Sequence, residues 1–197
     1  MTRIIFATGN KDKLREIGEI LDNEDLEIVS MKDAGFDMDI EENGTTFAEN
    51  ALIKARAIAK ASGCLTLADD SGLEIDAMDK QPGIYSARFL GHDTDYDHKN
   101  NYILDKLKDV PEEKRTARYV CAVAAVWPDG REEAVTETFE GRIGYEQRGN
   151  GGFGYDPIFF YPERGMTTGE MEPEEKNAIS HRGQAVRKMV ELLKSRG

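Results

Sequence analysis

The chain is poor in the residues that mark several protein classes. Only two of its 197 residues are cysteine, Cys64 and Cys121, and no His pair lies near either. With no Cys-x-x-Cys spacing, zinc and dithiol redox chemistry are excluded, and both are expected to be buried free thiols. No apolar run approaches the roughly 18 residues that cross a bilayer. The opening Met-Thr-Arg-Ile-Ile-Phe-Ala-Thr-Gly-Asn turns polar by Thr8 and shows no signal-peptide pattern, so a cytoplasmic location and no membrane partner are expected. Repeats, low-complexity tracts and linkers are missing. Positive charge is also scarce. The formal net charge of −12 repels a nucleic-acid backbone, which argues against DNA or RNA as a partner. It leaves room for a nucleotide held in a local basic pocket.

What is present reads as an α/β protein with a mixed sheet. Hydrophobic residues at 39% and charged residues at 32% fit an ordinary globular chain, expected to form one domain over 1–197. Arg3–Ala7 reads as a buried strand, followed by a helix with Leu14, Ile17, Ile20 and Leu21 on one face. Leu26–Met31 reads as a second strand. Thr46-Phe47-Ala48-Glu49 is a capping box opening a helix to about Ser62, ended by Gly63. Cys64–Ala68 and Leu73–Ala77 read as separate strands around Asp69-Asp70-Ser71-Gly72. Gln81–Arg88 reads as loop and Asp97–Lys108 as helix. Ala117–Trp127, Pro128-Asp129-Gly130 and Glu133–Phe139 form a hairpin pattern. A glycine-rich stretch, 149–156, leads into a strand over Pro157–Tyr161. Glu174–Ile179, a break over Ser180–Gly183 and an amphipathic helix to about Ser195 close the chain. The hairpin demands antiparallel pairing and the strand–helix alternation suggests parallel pairing.

Several segments carry chemistry-bearing side chains, each with a plainer alternative. Thr8-Gly9-Asn10-Lys11-Asp12-Lys13 joins a strand to a helix, where backbone N–H groups and the helix dipole suit phosphate. It is not a P-loop, and on local sequence alone an ordinary strand–helix turn capped by Thr or Asn is the favoured reading. Asp69 and Asp70 are costly side by side unless a cation or hydrogen bonds satisfy them. Strand pleating directs them to opposite faces, so one can face a metal while the other braces the loop; an Asx turn at Ser71-Gly72 is the alternative. Glu41 and Glu42 complement a helix dipole or offer hard oxygens to Mg²⁺. Lys54 lies in line with Phe47, Ala51 and Ile58, so it snorkels to solvent or faces an anion. Phe153-Gly154-Tyr155-Asp156 offers rings for stacking on a base, or ordinary core packing. His181-Arg182 offers donors for a purine carbonyl edge, or surface charge.

The order of these segments is more specific than any one of them. Thr8-Gly9-Asn10-x-x-Lys13, Asp69-Asp70-Ser71-Gly72, Pro82-Gly83-x-Tyr85-Ser86-x-Arg88, Phe153-Gly154-Tyr155-Asp156 and Glu175-Lys176-x-x-x-Ser180-His181-Arg182 occur in succession from Thr8 to Arg182. The chain thereby strongly resembles the inosine triphosphatase family of purine nucleoside-triphosphate pyrophosphatases, in its bacterial form. That resemblance implies an elongated fold with a central mixed sheet, two lobes around a deep substrate cleft, and a homodimer. It implies Mg²⁺-dependent hydrolysis of ITP, dITP and XTP to the monophosphate and pyrophosphate, with Mn²⁺ able to substitute. Asp70 is implied as general base and metal-facing group, and one of Glu41 and Glu42, with Glu42 favoured, as a metal ligand. Thr8 to Lys13, Lys54 and Ser71 are implied as triphosphate contacts. Phe153, Gly154, Tyr155, Asp156, Lys176, His181 and Arg182 are implied around the base, with His181 or Arg182 reading the purine 6-carbonyl. Two rival readings are a house-cleaning pyrophosphatase for modified pyrimidine or methylated guanine nucleotides and a silent nucleotide-binding protein.

Overall fold

The computed structural model describes residues 2–22 and 26–196. The chain begins with strand β1 (Thr2–Phe6), helix α1 (Lys11–Leu21) and strand β2 (Leu26–Ser30). β1 and β2 run parallel, with Ile4 opposite Ile28, so α1 is the crossover that parallel pairing requires. Helix α2 (Phe47–Ser62) precedes β3 (Thr66–Ile75), which pairs parallel with the other edge of β1. Ile4, Ile5 and Phe6 are all buried, as expected for a central parallel strand covered on both faces.

The remaining elements are α3 (Tyr96–Lys106), β4 (Thr116–Val126), β5 (Glu132–Ile143), β6 (Phe159–Tyr161), β7 (Met166–Thr167), α4 (Pro173–Ile179) and α5 (His181–Arg196). The described strands form one mixed sheet in the order β2-β1-β3-β4-β5-β6-β7. β4 and β5 are joined by a turn in which the Trp127 N–H donates to the Arg131 carbonyl. β5–β6 and β6–β7 are antiparallel. Along β5, Val135, Phe139 and Ile143 are buried while Glu132, Thr136 and Glu140 are exposed, the period of two of a strand with one wet face. No helix among the described residues is long and apolar enough to cross a membrane.

Contacts group the chain into two units. The first comprises Met1–Ser71, Cys121–Glu137 and His181–Gly197, and the second Gly72–Val120 and Thr138–Ser180. The first has a core of Ile4, Phe6, Ile17, Leu67, Val123 and Met189. The second is built around Leu73, Ile75, Ile103, Tyr119, Phe139 and Phe159.

The structure departs from the sequence reading at several points. The two strands expected around Asp69-Asp70-Ser71-Gly72 are one continuous strand, β3. No Asx turn forms, because both carboxylates find partners while the backbone stays extended. The α2 capping box is half formed: Thr46 accepts from the Glu49 N–H, but the Glu49 carboxylate takes the N–H and hydroxyl of Thr45 at 2.6 and 2.8 Å. Gly63 ends the helix in the left-handed region, as expected. Within Gln81–Arg88, Gly83–Arg88 coils into a short 3₁₀ helix. The expected strand from Pro157 begins only at Phe159, since the preceding residues are held as turns. Helix α5 starts at His181, so the break before it is Ser180 alone. Cys121 is fully buried, whereas Cys64 precedes β3 and is half-buried.

Sequence reading also gave no hint of Arg115, which is 1% exposed in the second unit. Its guanidinium donates to the carbonyls of Leu107, Val110, Ile143 and Gly144, and the Tyr145 ring lies 4.3 Å from it. It ties the segment after α3 to the end of β5. Arg115→Met keeps bulk but removes every hydrogen bond the guanidinium donates; of the four carbonyls, Leu107 keeps the Val110 N–H. We expect a loss of about 3 kcal/mol in denaturant unfolding. A loss under about 0.5 kcal/mol, the level of an ordinary surface change, would show that the clamp is dispensable.

Candidate active site

The junction after β1 is a capped helix start. Thr8 is buried, and its hydroxyl accepts the Asn10 N–H at 3.2 Å. Asn10 caps α1, its side-chain oxygen accepting from the N–H groups of Asp12 and Lys13 at 2.9 and 3.2 Å. Gly9 and Lys11 are exposed, and Asp12 pairs with Arg15 at 3.0 Å. Of the charged residues in this turn, Lys13 points inward, placing its ammonium 3.0 Å from Asp69 Oδ2.

Asp69 and Asp70 are neighbours in β3 with different surroundings. Asp69 has no exposed surface. Burial alone would raise its pKa, but Lys13, Arg182 and Lys54 outweigh that and hold it at about 2. Asp70 accepts from the Asn50 side-chain amide at 3.1 Å and lies 3.9 Å from the Lys54 ammonium. Here burial prevails over Lys54 and Lys13, with Glu42 adding repulsion, and the pKa rises to about 6. Lys54 therefore does not snorkel. Its ammonium lies 2.9 Å from Glu42, and three carboxylates, Asp69, Asp70 and Glu42, overcome burial to raise its pKa. Glu42 is half-buried at this position while Glu41 is exposed, so of the acidic pair Glu42 joins the cluster.

Arg182 and His181 are not surface charge: they are 3% and 4% exposed at the start of α5. The Arg182 guanidinium bonds to Glu16, donates to the Ser71 hydroxyl at 2.9 Å and lies 3.6 Å from Asp69. Ser71 is thus brought to Arg182 beside the two aspartates. Sequence reading missed Glu16 and Asn50. Glu16 follows Lys13 by three helical positions and Asn50 precedes Lys54 by four, so the spacings that align side chains were visible. What each would meet was not.

In the second unit, Asp156 organises the glycine-rich turn. Its carboxylate accepts from the Phe153 N–H at 2.9 Å, the Tyr119 hydroxyl at 3.1 Å, the Thr168 hydroxyl at 2.8 Å and the Lys176 ammonium at 2.6 Å. Gly152 has a φ of +67°, and a Cβ there would lie 2.0 Å from the Asp156 carboxylate, so no other residue fits. Tyr155 is buried and donates to the Ser86 carbonyl at 2.7 Å. Phe153 and Gly154 are half-buried, and the Lys176 ammonium lies 5.3 Å from the Phe153 ring. Tyr119 and Thr168 belong to no motif read from the sequence.

The raised Asp70 pKa has a consequence for stability. The folded chain holds this proton more tightly than the unfolded chain, whose carboxylate sits near the ordinary 3.8. Stability is therefore lost as pH rises from about 4 through about 6. Without metal, Asp70→Asn should be more stable than wild type at about pH 8, by up to about 3 kcal/mol. The gain should shrink through about pH 4 and vanish below about pH 3, where Asp70 is protonated in both states. Melting curves across this range decide it; a variant less stable than wild type at the alkaline end would contradict the assignment.

Comparison with known proteins covers nearly the whole chain. The Ham1 family model matches residues 4–192. A protein of Desulforamulus reducens named dITP/XTP pyrophosphatase is 45% identical over 191 residues, covering 97% of this chain and 95% of that one. Another so named, from Exiguobacterium sibiricum, is 46% identical, with 97% and 96% covered. The solved structure of a HAM1 protein from Coxiella burnetii superposes with a TM-score of 0.89 at 38% identity, covering 99% of this chain and all of that one. A matched region nearly as long as the chain, together with the same fold, shows that the chain belongs to the Ham1 family.

Proposed function

We propose that this chain hydrolyses ITP, dITP and XTP to the nucleoside monophosphate and pyrophosphate, and so removes damaged purines from the nucleotide pool. The observation that carries the reading is Asp70. It is a buried carboxylate with a pKa near 6, set between an amide donor and the Lys54 ammonium. A base poised near neutral pH is well matched to taking a proton from water. The two relatives described above carry the corresponding name.

The reaction assigned to the site is attack of a water oxygen on the α-phosphorus. The new P–O bond forms as the bond to the bridging oxygen of the β-phosphate breaks. The water proton passes to Asp70, and the electron pair leaves on pyrophosphate. Lys13 and Lys54 stabilise charge on the phosphate oxygens. Glu42 and Asp70 already share one cation, the Lys54 ammonium, and their hard oxygens suit Mg²⁺ or Mn²⁺, which takes one or two protein carboxylates alongside phosphate oxygens. Such an ion supplies positive charge that neutralises the triphosphate as pyrophosphate leaves. The Phe153 ring, backed by Lys176, supports stacking on the purine, with His181 as the candidate reader of the 6-carbonyl. Arg182 has its guanidinium turned to Glu16, Ser71 and Asp69, contacts that support an anchoring role over base reading. The chain acts as a single catalytic domain, in the cytoplasm and as a homodimer.

Pyrophosphate release from ITP with Mg²⁺, compared across a substrate panel, tests the activity. Turnover should stop with EDTA and return with Mg²⁺ or Mn²⁺. In oxygen-18 water the label should enter IMP; label in pyrophosphate, or IDP as first product, would contradict attack at the α-phosphorus. Asp70→Asn should lower kcat on the order of a hundredfold or more. Preference for methylated guanine or pyrimidine triphosphates over ITP and XTP would replace the substrate class. Phe153→Ala should weaken ITP, XTP and ATP alike, by roughly 1–3 kcal/mol in kcat/KM. A selective loss of ITP alone would mean that Phe153 reads the base edge instead of stacking on its face.

A further inference from the structure

Asn50 is a fully buried polar side chain on α2 that no motif accounts for. Its amide is used on both sides. The nitrogen donates to Asp70 Oδ2 at 3.1 Å, and the oxygen accepts the Gly44 N–H at 2.8 Å. That division is chemically forced, since a carboxylate only accepts and a backbone N–H only donates. Gly44 lies two residues after Glu42. One rigid amide therefore joins the Asp70 carboxylate to the segment that carries Glu42. Space enforces the link: a Cβ on Gly44 would lie 2.7 Å from the Asn50 oxygen and 2.8 Å from Glu49 Cβ. Gly44 does not have a left-handed φ, so glycine is needed here for room and not for backbone freedom.

We propose that Asn50 is a positioning residue, which aims the Asp70 carboxylate and sets the Glu42 segment beside it. The inference rests on the proposed hydrolytic reading and extends it to a residue outside the motifs. Packing alone does not require an amide at this place, since an apolar side chain of similar size would fill the volume without two polar partners. The lysines that would meet the triphosphate do not depend on the Asn50 amide for their place: Lys13 stands on α1 and is held by Asp69, and Lys54 stands on α2. Loss of Asn50 should therefore disturb the base and leave nucleotide capture largely intact.

Two variants reach the amide from opposite ends. Asn50→Asp keeps the shape and the acceptor for Gly44 but turns an oxygen toward Asp70. Gly44→Ala leaves Asn50 in place and pushes a methyl group into its oxygen. Each is assayed for ITP turnover with saturating Mg²⁺, and separately by calorimetry for ITP binding in EDTA, which needs no turnover. We expect kcat to fall about 30-fold or more in Asn50→Asp and about tenfold in Gly44→Ala, because small misplacements of a reacting group are costly. Metal-free ITP binding should stay within about threefold of wild type in both. If Asn50→Asp fails to fold, Gly44→Ala carries the test alone. Wild-type kcat in either folded variant, or a parallel loss of metal-free binding and kcat, would overturn the positioning role. Failure of the wild-type arm to turn over any purine triphosphate would instead overturn the activity on which the role rests.

Discussion

Two carboxylates placed side by side in a buried strand set the terms for the whole first unit. An ionised carboxylate taken out of water costs several kcal/mol unless charge or hydrogen bonds replace its hydration. The pleat of β3 directs Asp69 and Asp70 to different sides, so one cation cannot serve both equally. The fold answers with separate partners: Lys13 from α1 and Arg182 from α5 for Asp69, Asn50 and Lys54 from α2 for Asp70. The parallel pairing of β2, β1 and β3 brings the helices that carry these residues against the strand. Helix starts and strand positions that look ordinary in isolation are fixed by this demand.

Much of the frame was legible in the sequence because it depends on short-range chemistry. The α1 and α2 caps, the Gly63 stop and the alternation along β5 each follow from residues a few positions apart. The continuity of β3 was not legible. Asp-Asp-Ser-Gly has the composition of a turn, and beyond the adjacent Ser71 N–H the partners of its carboxylates, Lys13, Arg182, Asn50 and Lys54, come from distant segments. Arg115 and Glu16 were invisible for the same reason. A buried cation is recognised by what surrounds it, and its carbonyls or carboxylate come from far along the chain. For His181 and Arg182 the sequence left two readings open, donors for a ligand or surface charge, and their burial removes the second.

The second unit solves a smaller form of the same problem. Asp156 is a buried carboxylate, and four donors from separate stretches converge on it. Its effect is to freeze the glycine-rich turn that presents Phe153. Glycines in such a turn can serve close approach of backbone to a ligand. At Gly152 the structure gives a more local cause: the Asp156 carboxylate occupies the space where a side chain would stand. Motif residues thus divide into those that can meet a ligand and those that hold the former in place, and spacing does not separate them.

Environment, not residue type, distinguishes the two aspartates. A carboxylate held at about 2 stays ionised and keeps its cations in place, but it is a poor proton acceptor. One held near 6 is strained when ionised, and that strain is what gives it affinity for a proton. The two states depend on each other. Asp69 pairs with Lys13 and lies beside Arg182, while Lys13 also acts on Asp70, where burial outweighs it. Were Asp69 neutral, Lys13 would lose its nearest counter-ion, and the balance of charge around Asp70 would change with it. Adjacent positions in one strand thus hold one carboxylate ionised and leave the other able to take a proton near pH 6, the property on which the proposed role of Asp70 rests.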